Sequence, residues 1–152
     1  VWDDLADTFD RLGEVGYDVI VDAGRLGPHG LPGPLVERSA VTALVLRTSL
    51  RAVMSARVHL PSLTEQERLS TAGRTGLVLV GEGEPYGRRE VAQALGVGVH
   101  AVVAHDPVVA AHLSDATPRP RRLDASPLVR SLRAAAGVLA GRMSRASEVV
   151  AR

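Results

Sequence analysis

The apolar residues of this chain follow two patterns, one with helical spacing and one of short continuous runs. Apolar positions that recur every three or four residues predict helices. The predicted helices span 2–15, 49–60, 62–73, 87–95, 107–113 and 126–143, with a further helical turn at 35–39. Continuous apolar runs predict four buried strands, at 17–22, 41–47, 75–80 and 97–104. Segments 23–34 and 114–127, rich in Gly, Pro or polar residues, are predicted loops.

Strands that alternate with helices predict an α/β fold with a mainly parallel sheet. Because the strands are apolar throughout rather than alternating, both faces of the sheet should be covered, which gives a three-layer α/β/α arrangement. The length of 152 residues suggests one domain, which we place at 1–143, followed by a C-terminal tail at 144–152 that is expected to fray.

Composition narrows the classes of protein that this chain can belong to. An apolar content of 45% argues against disorder, and a net charge of +1 argues neither for nor against nucleic acid. The absence of cysteine excludes disulfides and thiolate metal sites. All 18 basic residues are Arg, and the chain contains neither Lys nor Asn. No apolar run reaches the roughly 20 residues that span a bilayer, and a cytoplasmic location is expected.

The segment from Tyr17 to Gly27 carries the candidate chemistry. Its apolar run ends on Asp22, and a turn containing Gly24 follows. A buried parallel strand that delivers one acid to a flexible loop is typical of a nucleotide or metal site at the carboxyl edge of an α/β sheet. Arg25, in the same loop, is either a contact for phosphate or a partner's carboxylate, or a solvated loop arginine.

Four segments together resemble a known family. They are YDVIVDAGRLG, ALVLRTSLRAVMSARVHLPSL, REVAQALGVGVHAVVAHDPVVAAHLSDA and SPLVRSLRAAAGVLAGR. Their order and spacing are similar to the MinD/ParA-like P-loop ATPases, near the actinobacterial MinD-like and pilus-assembly CpaE/TadZ-like branch. The phosphate loop of that family, with its lysines, lies upstream of these segments. The chain therefore resembles the C-terminal half of a P-loop NTPase-like domain that lacks the Walker A loop.

The resemblance implies ATP and Mg²⁺ as cofactors, and it implies roles for particular residues. Asp22 would hold the magnesium ion, while Gly24 and Arg25 would lie near the terminal phosphate. The loops after the third and fourth strands would line the base pocket, through Gly81, Glu82, His105, Asp106 and Pro107. The family often has Asn at the end of the third strand, and this chain has none.

The implied function is an ATPase region that positions pilus, secretion, septum or partition machinery, with ATP bridging a homodimer. The isolated chain, without a phosphate loop, is predicted to bind no cofactor and to hydrolyse no ATP, and no catalytic residue is assigned. An alternative is an inactive ATPase-like scaffold that binds a protein partner, which the missing Lys and Asn favour.

Two further alternatives rest on local patterns. The Gly-rich loop 81–87 follows a strand and opens a helix, as in dinucleotide-binding domains, but Glu82 and Glu84 place negative charge where a pyrophosphate would lie. The segment 119–152 has a net charge of +6, with eight Arg against Asp124 and Glu148. This segment predicts either contact with DNA or a peripheral contact with the membrane, or simply the solvated face of a helix.

Overall fold

The computed structural model describes residues 1–27, 30–68 and 74–150. Its helices are α1 (Trp2–Glu14), α2 (Gly33–Arg38), α3 (Leu50–Arg68), α4 (Arg88–Leu95), α5 (Pro107–Asp115) and α6 (Pro127–Val150), with a 3-10 turn at Leu123–Ala125. Its strands are β1 (Thr42–Arg47), β2 (Thr75–Val80) and β3 (Val99–Val103). The fold class is α/β, as the sequence predicted.

The three strands form one parallel sheet in the order β1-β2-β3. Thr42 pairs with Thr75 and Arg47 with Val80, so β1 and β2 run in register over their full length. The register shifts once between β2 and β3, at Leu77 and Val78. Since every strand points the same way, all three carboxyl ends lie at one edge of the sheet.

Alternate residues of a strand point to opposite sides of the sheet. Helices cover the central strand, β2, on both sides. Leu77 and Leu79 of β2, both fully buried, pack with Val53 of α3 and Val91 of α4. Val78, on the opposite face, packs in a second cluster with residues of β3, α5 and α6, which are Val103, Val109, Leu128 and Ala135. The central strand is therefore buried on both faces, which explains its uninterrupted apolar sequence.

Helices α1 and α2 pack together beside this sheet. Arg38 of α2 forms ion pairs with Asp7 and Asp10 of α1, the second at 3.1 Å. The hydrogen bond that Arg38 donates to Asp7 is the largest cause that raises the pKa of Arg38 above its usual range. Val36 of α2 packs against Leu60 and Leu63 of α3, which joins this pair of helices to the main core.

The predicted strand at 17–22 is wrong, because the described backbone of this segment is neither strand nor helix. A strand needs a neighbour for its backbone hydrogen bonds, and β1 pairs with β2 alone among the described strands. The side chain of Ile20 is 91% exposed, so the apolar run that predicted a buried strand lies on the surface instead.

The helix boundaries differ from prediction in two places. Segments 49–60 and 62–73 were predicted as separate helices, but α3 is continuous to Arg68 with Pro61 inside it. The hydroxyl of Ser62 donates to the carbonyl of His59, and that of Thr64 to the carbonyl of Leu60, as Ser and Thr side chains do inside helices. Positions 69–73 lie outside the described residues. Helix α6 continues to Val150, beyond its predicted end at 143.

Within the part of the chain that the structure describes, no helix is both long enough and apolar enough to cross a membrane.

Candidate functional site at the carboxyl edge of the sheet

Three loops meet where the strands end. Arg47 closes β1, the loop from Gly81 to Pro85 follows β2, and His105 follows β3. In parallel α/β sheets ligands bind in the crevice outside this edge, because loops there are free to vary while the strands hold them in place. We call Arg47, Thr48, Gly81, Glu84 and His105 the carboxyl-edge cluster.

Thr48 ties the first two loops together. Its side chain is buried, with 1% of the residue exposed. The hydroxyl donates to the carbonyl of Gly81, lies 3.2 Å from that of Glu84, and is 3.4 Å from the backbone nitrogen of Glu84. A buried hydroxyl with both donor and acceptor contacts fixes the path of the Gly81–Glu84 loop over the end of β1.

Gly81 lets this loop approach the end of β3. Its φ of 75° lies in the left-handed region, and its N–H donates to the carbonyl of Val103 at 2.9 Å. A Cβ at this position would stand 3.1 Å from the Cβ of His105 and 3.3 Å from Oε2 of Glu84. Both the backbone conformation and the lack of space therefore require glycine here.

His105 lies between groups of opposite charge. Its Nδ1 is 3.5 Å from Oε2 of Glu84 and 3.4 Å from Nη2 of Arg47. Neutral imidazole with a lone pair on Nδ1 can accept from the arginine, whereas imidazolium donates to the carboxylate. The three side chains are partly exposed and offer both donors and acceptors to a planar polar ligand at this edge.

Asp106 and Pro107 have structural roles in the start of α5. Oδ1 of Asp106 accepts a hydrogen bond from the backbone N–H of Val109 at 3.1 Å, which caps the helix. Pro107 occupies the first turn, where a missing N–H costs nothing. Asp106 and Pro107, which the resemblance predicted for the base pocket, directly follow His105 in the chain. One carboxylate oxygen of Asp106 is already hydrogen-bonded to the start of α5.

Glu82 points to the start of α4. Its Oε1 accepts from the backbone N–H of Arg88 at 3.1 Å and from Nε of the same residue at 2.8 Å. The hydrogen bond from the Arg88 side chain is the largest cause that lowers the pKa of Glu82 below its usual range. Oε2 of Glu90 accepts from the N–H of Gly87 at 2.8 Å. Two carboxylates thus occupy the donors that a pyrophosphate would need, which argues against the dinucleotide alternative.

The segment with Asp22, Gly24 and Arg25 lies on the surface. The N–H of Gly24 donates to Oδ1 of Asp22 at 2.9 Å, an Asx turn that holds the loop backbone. Among the described residues, no hydrogen bond or ion pair joins these three residues to the carboxyl-edge cluster. The structure brings Gly81, Glu82 and His105 to one edge, and it does not join Asp22 to them.

The residues present fit only part of an ATP–magnesium site. Asp22 offers an exposed carboxylate, which suits a magnesium ion that keeps most of its waters and uses one or two protein carboxylates. Across the ranges 1–27, 30–68 and 74–150, no group of three or more His, Asp or Glu residues could hold a metal ion by itself. The chain also has no lysine for the phosphates. The residues of this chain therefore do not fit the phosphate part of the ligand.

Three residues of the cluster were missed from sequence: Arg47, Thr48 and Glu84. Arg47 and Thr48 are the first polar residues after the apolar run of β1, and that position is a usable signal in a parallel sheet. Glu84 was considered only as a charge that opposes pyrophosphate, and its contact with His105 crosses from one loop to another.

Comparisons with known proteins found no match: no family model, no curated protein and no solved structure is significantly similar to this chain. The resemblance to MinD/ParA-like ATPases therefore rests on the sequence segments alone.

Proposed function

We propose that this chain is the C-terminal, base-side half of a MinD/ParA-like nucleotide switch, completed by a segment that carries the phosphate loop. The observation that carries the proposal is the convergence of the loops after β2 and β3 at one edge, where Glu84 and His105 are 3.5 Å apart. The donors and acceptors of these side chains suit hydrogen bonds with the edge of a purine base, and Thr48 holds one of the loops in a fixed position.

Exposed apolar side chains support the proposal that a further segment of the protein completes the sheet. Val45 of β1 is 62% exposed, although its strand neighbour Leu46 is buried. Ala43, on the same face as Val45, is exposed as well. Ile20 and Val21 are also exposed, in a segment whose described backbone is neither strand nor helix. An open strand edge and exposed apolar side chains are liabilities that native proteins cover.

A further strand beside β1 would account for the exposed side chains of β1 and for those of the segment that ends on Asp22. If it paired with the open edge of β1, helices attached to it would cover Val45, and the sheet would extend toward the run that ends on Asp22. In that arrangement Asp22 would stand at the same edge as His105 and Gly81. Magnesium would then contact Asp22, and the phosphates would be held by the completing half. The assembled protein would position pilus, secretion, septum or partition machinery, as a homodimer bridged by ATP.

The test compares ATP turnover by the 152-residue chain with that by a longer form of the protein containing the phosphate loop. The isolated chain should show no turnover above background. The longer form should hydrolyse ATP, and Asp22→Ala should reduce its rate by at least about tenfold, as expected when a metal contact is removed. Asp18→Ala, four residues earlier in the same exposed segment, is the matched control and should leave the rate unchanged. Turnover by the isolated chain that disappears in Asp22→Ala would contradict the proposal.

A second candidate is an inactive scaffold that keeps the fold and binds a protein partner. The occupied start of α4, with Glu82 on Arg88 and Glu90 on Gly87, favours it, because these donors are no longer open to an anion. A longer form that binds a partner but neither binds ATP nor responds to Asp22→Ala would favour the scaffold over the ATPase.

A further inference from the structure

A second polar cleft lies at the opposite edge of the sheet, where the strands begin. Its volume is roughly 350 Å³, and it is lined by Thr64 of α3, Thr75 of β2, His100 of β3, Arg142 of α6 and the turn at Gly96–Gly98. We call it the amino-end cleft. It shares no residue with the carboxyl-edge cluster.

Arg142 is the residue that makes this cleft unusual. Its Nε is buried and has no hydrogen-bond partner in the part of the chain that the structure describes. Among the described residues, no carboxylate forms an ion pair with it. A guanidinium cannot lose its charge in a protein, so burial of its N–H group without an acceptor costs free energy. An acceptor that enters the cleft would recover that cost.

The other walls keep the cleft open and fixed. A Cβ at Gly76 would stand 2.1 Å from the His100 ring, so the imidazole lies directly against β2. Nε2 of His100 is also 3.4 Å from the carbonyl oxygen of Arg74, which fixes the orientation of the ring. No described residue comes within 4 Å of where a Cβ would stand at Gly96 or Gly98, so these two residues leave space beside the backbone.

The C-terminal end of α4 favours the positive charge of Arg142. Gly96 is the C-cap of that helix, and the partial negative charge at a helix C-terminus favours a nearby cation. The dipole explains why a positive charge is tolerated at this place. It does not supply an acceptor for Nε, because the described structure gives Arg142 no hydrogen bond to the α4 carbonyls.

We propose that the amino-end cleft binds a small oxyanion, a phosphate or carboxylate group, on the guanidinium of Arg142. The planar fork of an arginine matches both kinds of oxyanion and can bind either through two parallel hydrogen bonds. His100 and Thr75 line the same cleft and would be the neighbours of the bound group. The site is independent of the proposed nucleotide site, because the two lie at opposite ends of the strands.

The test is a titration of the ¹⁵N-labelled 152-residue chain with inorganic phosphate, with chloride used to keep the ionic strength constant. Amide signals of Gly96, Gly98 and His100 should shift in a saturable way. Arg142→Gln should weaken the apparent affinity by at least about tenfold, since the charged hydrogen bonds are lost. Arg145→Gln, an exposed arginine on the same helix, is the matched control and should bind as the wild type does.

A parallel titration with malonate distinguishes the two sources of oxyanion. Saturable shifts at the cleft with either anion support the site, and the tighter one identifies the class of ligand. Arg142→Lys keeps the charge but loses the fork, so it serves if the glutamine variant does not fold, and it should weaken binding as well. No saturable shift with either anion, or equal binding by Arg142→Gln and the wild type, would overturn the proposal.

Discussion

At the scale of single residues, Thr48 is the contact on which the candidate site depends most. Its buried hydroxyl meets the carbonyls of Gly81 and Glu84 across a gap of more than thirty residues in sequence. Without that hydroxyl, the buried polar atoms of the loop would lose their partner, and the position of Glu84 relative to His105 would no longer be fixed.

Thr48→Val should therefore lower the free energy of unfolding by about 1–3 kcal/mol, the usual cost of leaving buried polar groups unpaired. Thr48→Ser keeps the hydroxyl and should cost less than about 1 kcal/mol, the value of one buried methyl group. Urea unfolding of the three proteins measures both changes. A larger loss in Thr48→Ser than in Thr48→Val would show that packing of the methyl group, and not the hydrogen bonds, is what Thr48 contributes.

At the scale of elements, an ion pair joins the loop after β2 to the start of α4. Glu82 accepts hydrogen bonds from the backbone and the side chain of Arg88, and the pKa of Glu82 is lowered as a result. A carboxylate with a lowered pKa in the folded state stabilises the protein above the ordinary glutamate pKa of about 4.3. That stabilisation is lost as the pH falls through the lowered value.

Glu82→Gln should consequently destabilise the protein at pH near 7, and the difference from the wild type should shrink as the pH falls below about 4.3. Urea unfolding across this range measures the trend. Glu14→Gln removes a carboxylate without a described ion pair and serves as the control, for which no such convergence is expected. If the difference in unfolding free energy between Glu82→Gln and the wild type stays constant or grows in acid, the lowered pKa of Glu82 does not contribute to stability.

Local sequence is sufficient to predict some strands and helices and not others. The strand β2 was predicted at its observed bounds, Thr75–Val80, because a strand buried on both faces has an uninterrupted apolar sequence. The run at 17–22 has the same kind of sequence, yet it forms no strand here. What it lacks is a neighbour, and the pairing of strands is a property of the whole sheet. The predicted break between segments 49–60 and 62–73 likewise does not occur, because α3 continues through Pro61.

At the scale of the whole molecule, the candidate site is less predictable than the sheet. That His105 would lie at the carboxyl edge follows from its position after a strand. The contact between His105 and Arg47 joins residues 58 apart in sequence, and no local pattern indicates it. The edge of β1, which has no partner among the described strands, and the exposed Val45 and Ile20 belong to this scale too. They describe a sheet whose central strand is covered on both faces while β1 is left partly open.

If a phosphate-loop segment completes this sheet, it should precede Val1 in the intact protein. Mass spectrometry of the protein from its natural source gives the sequence immediately before Val1. We expect an apolar strand there, followed by a Gly-rich loop that contains lysine. An intact protein that starts at Val1, or one whose preceding segment has no such loop, would contradict this expectation.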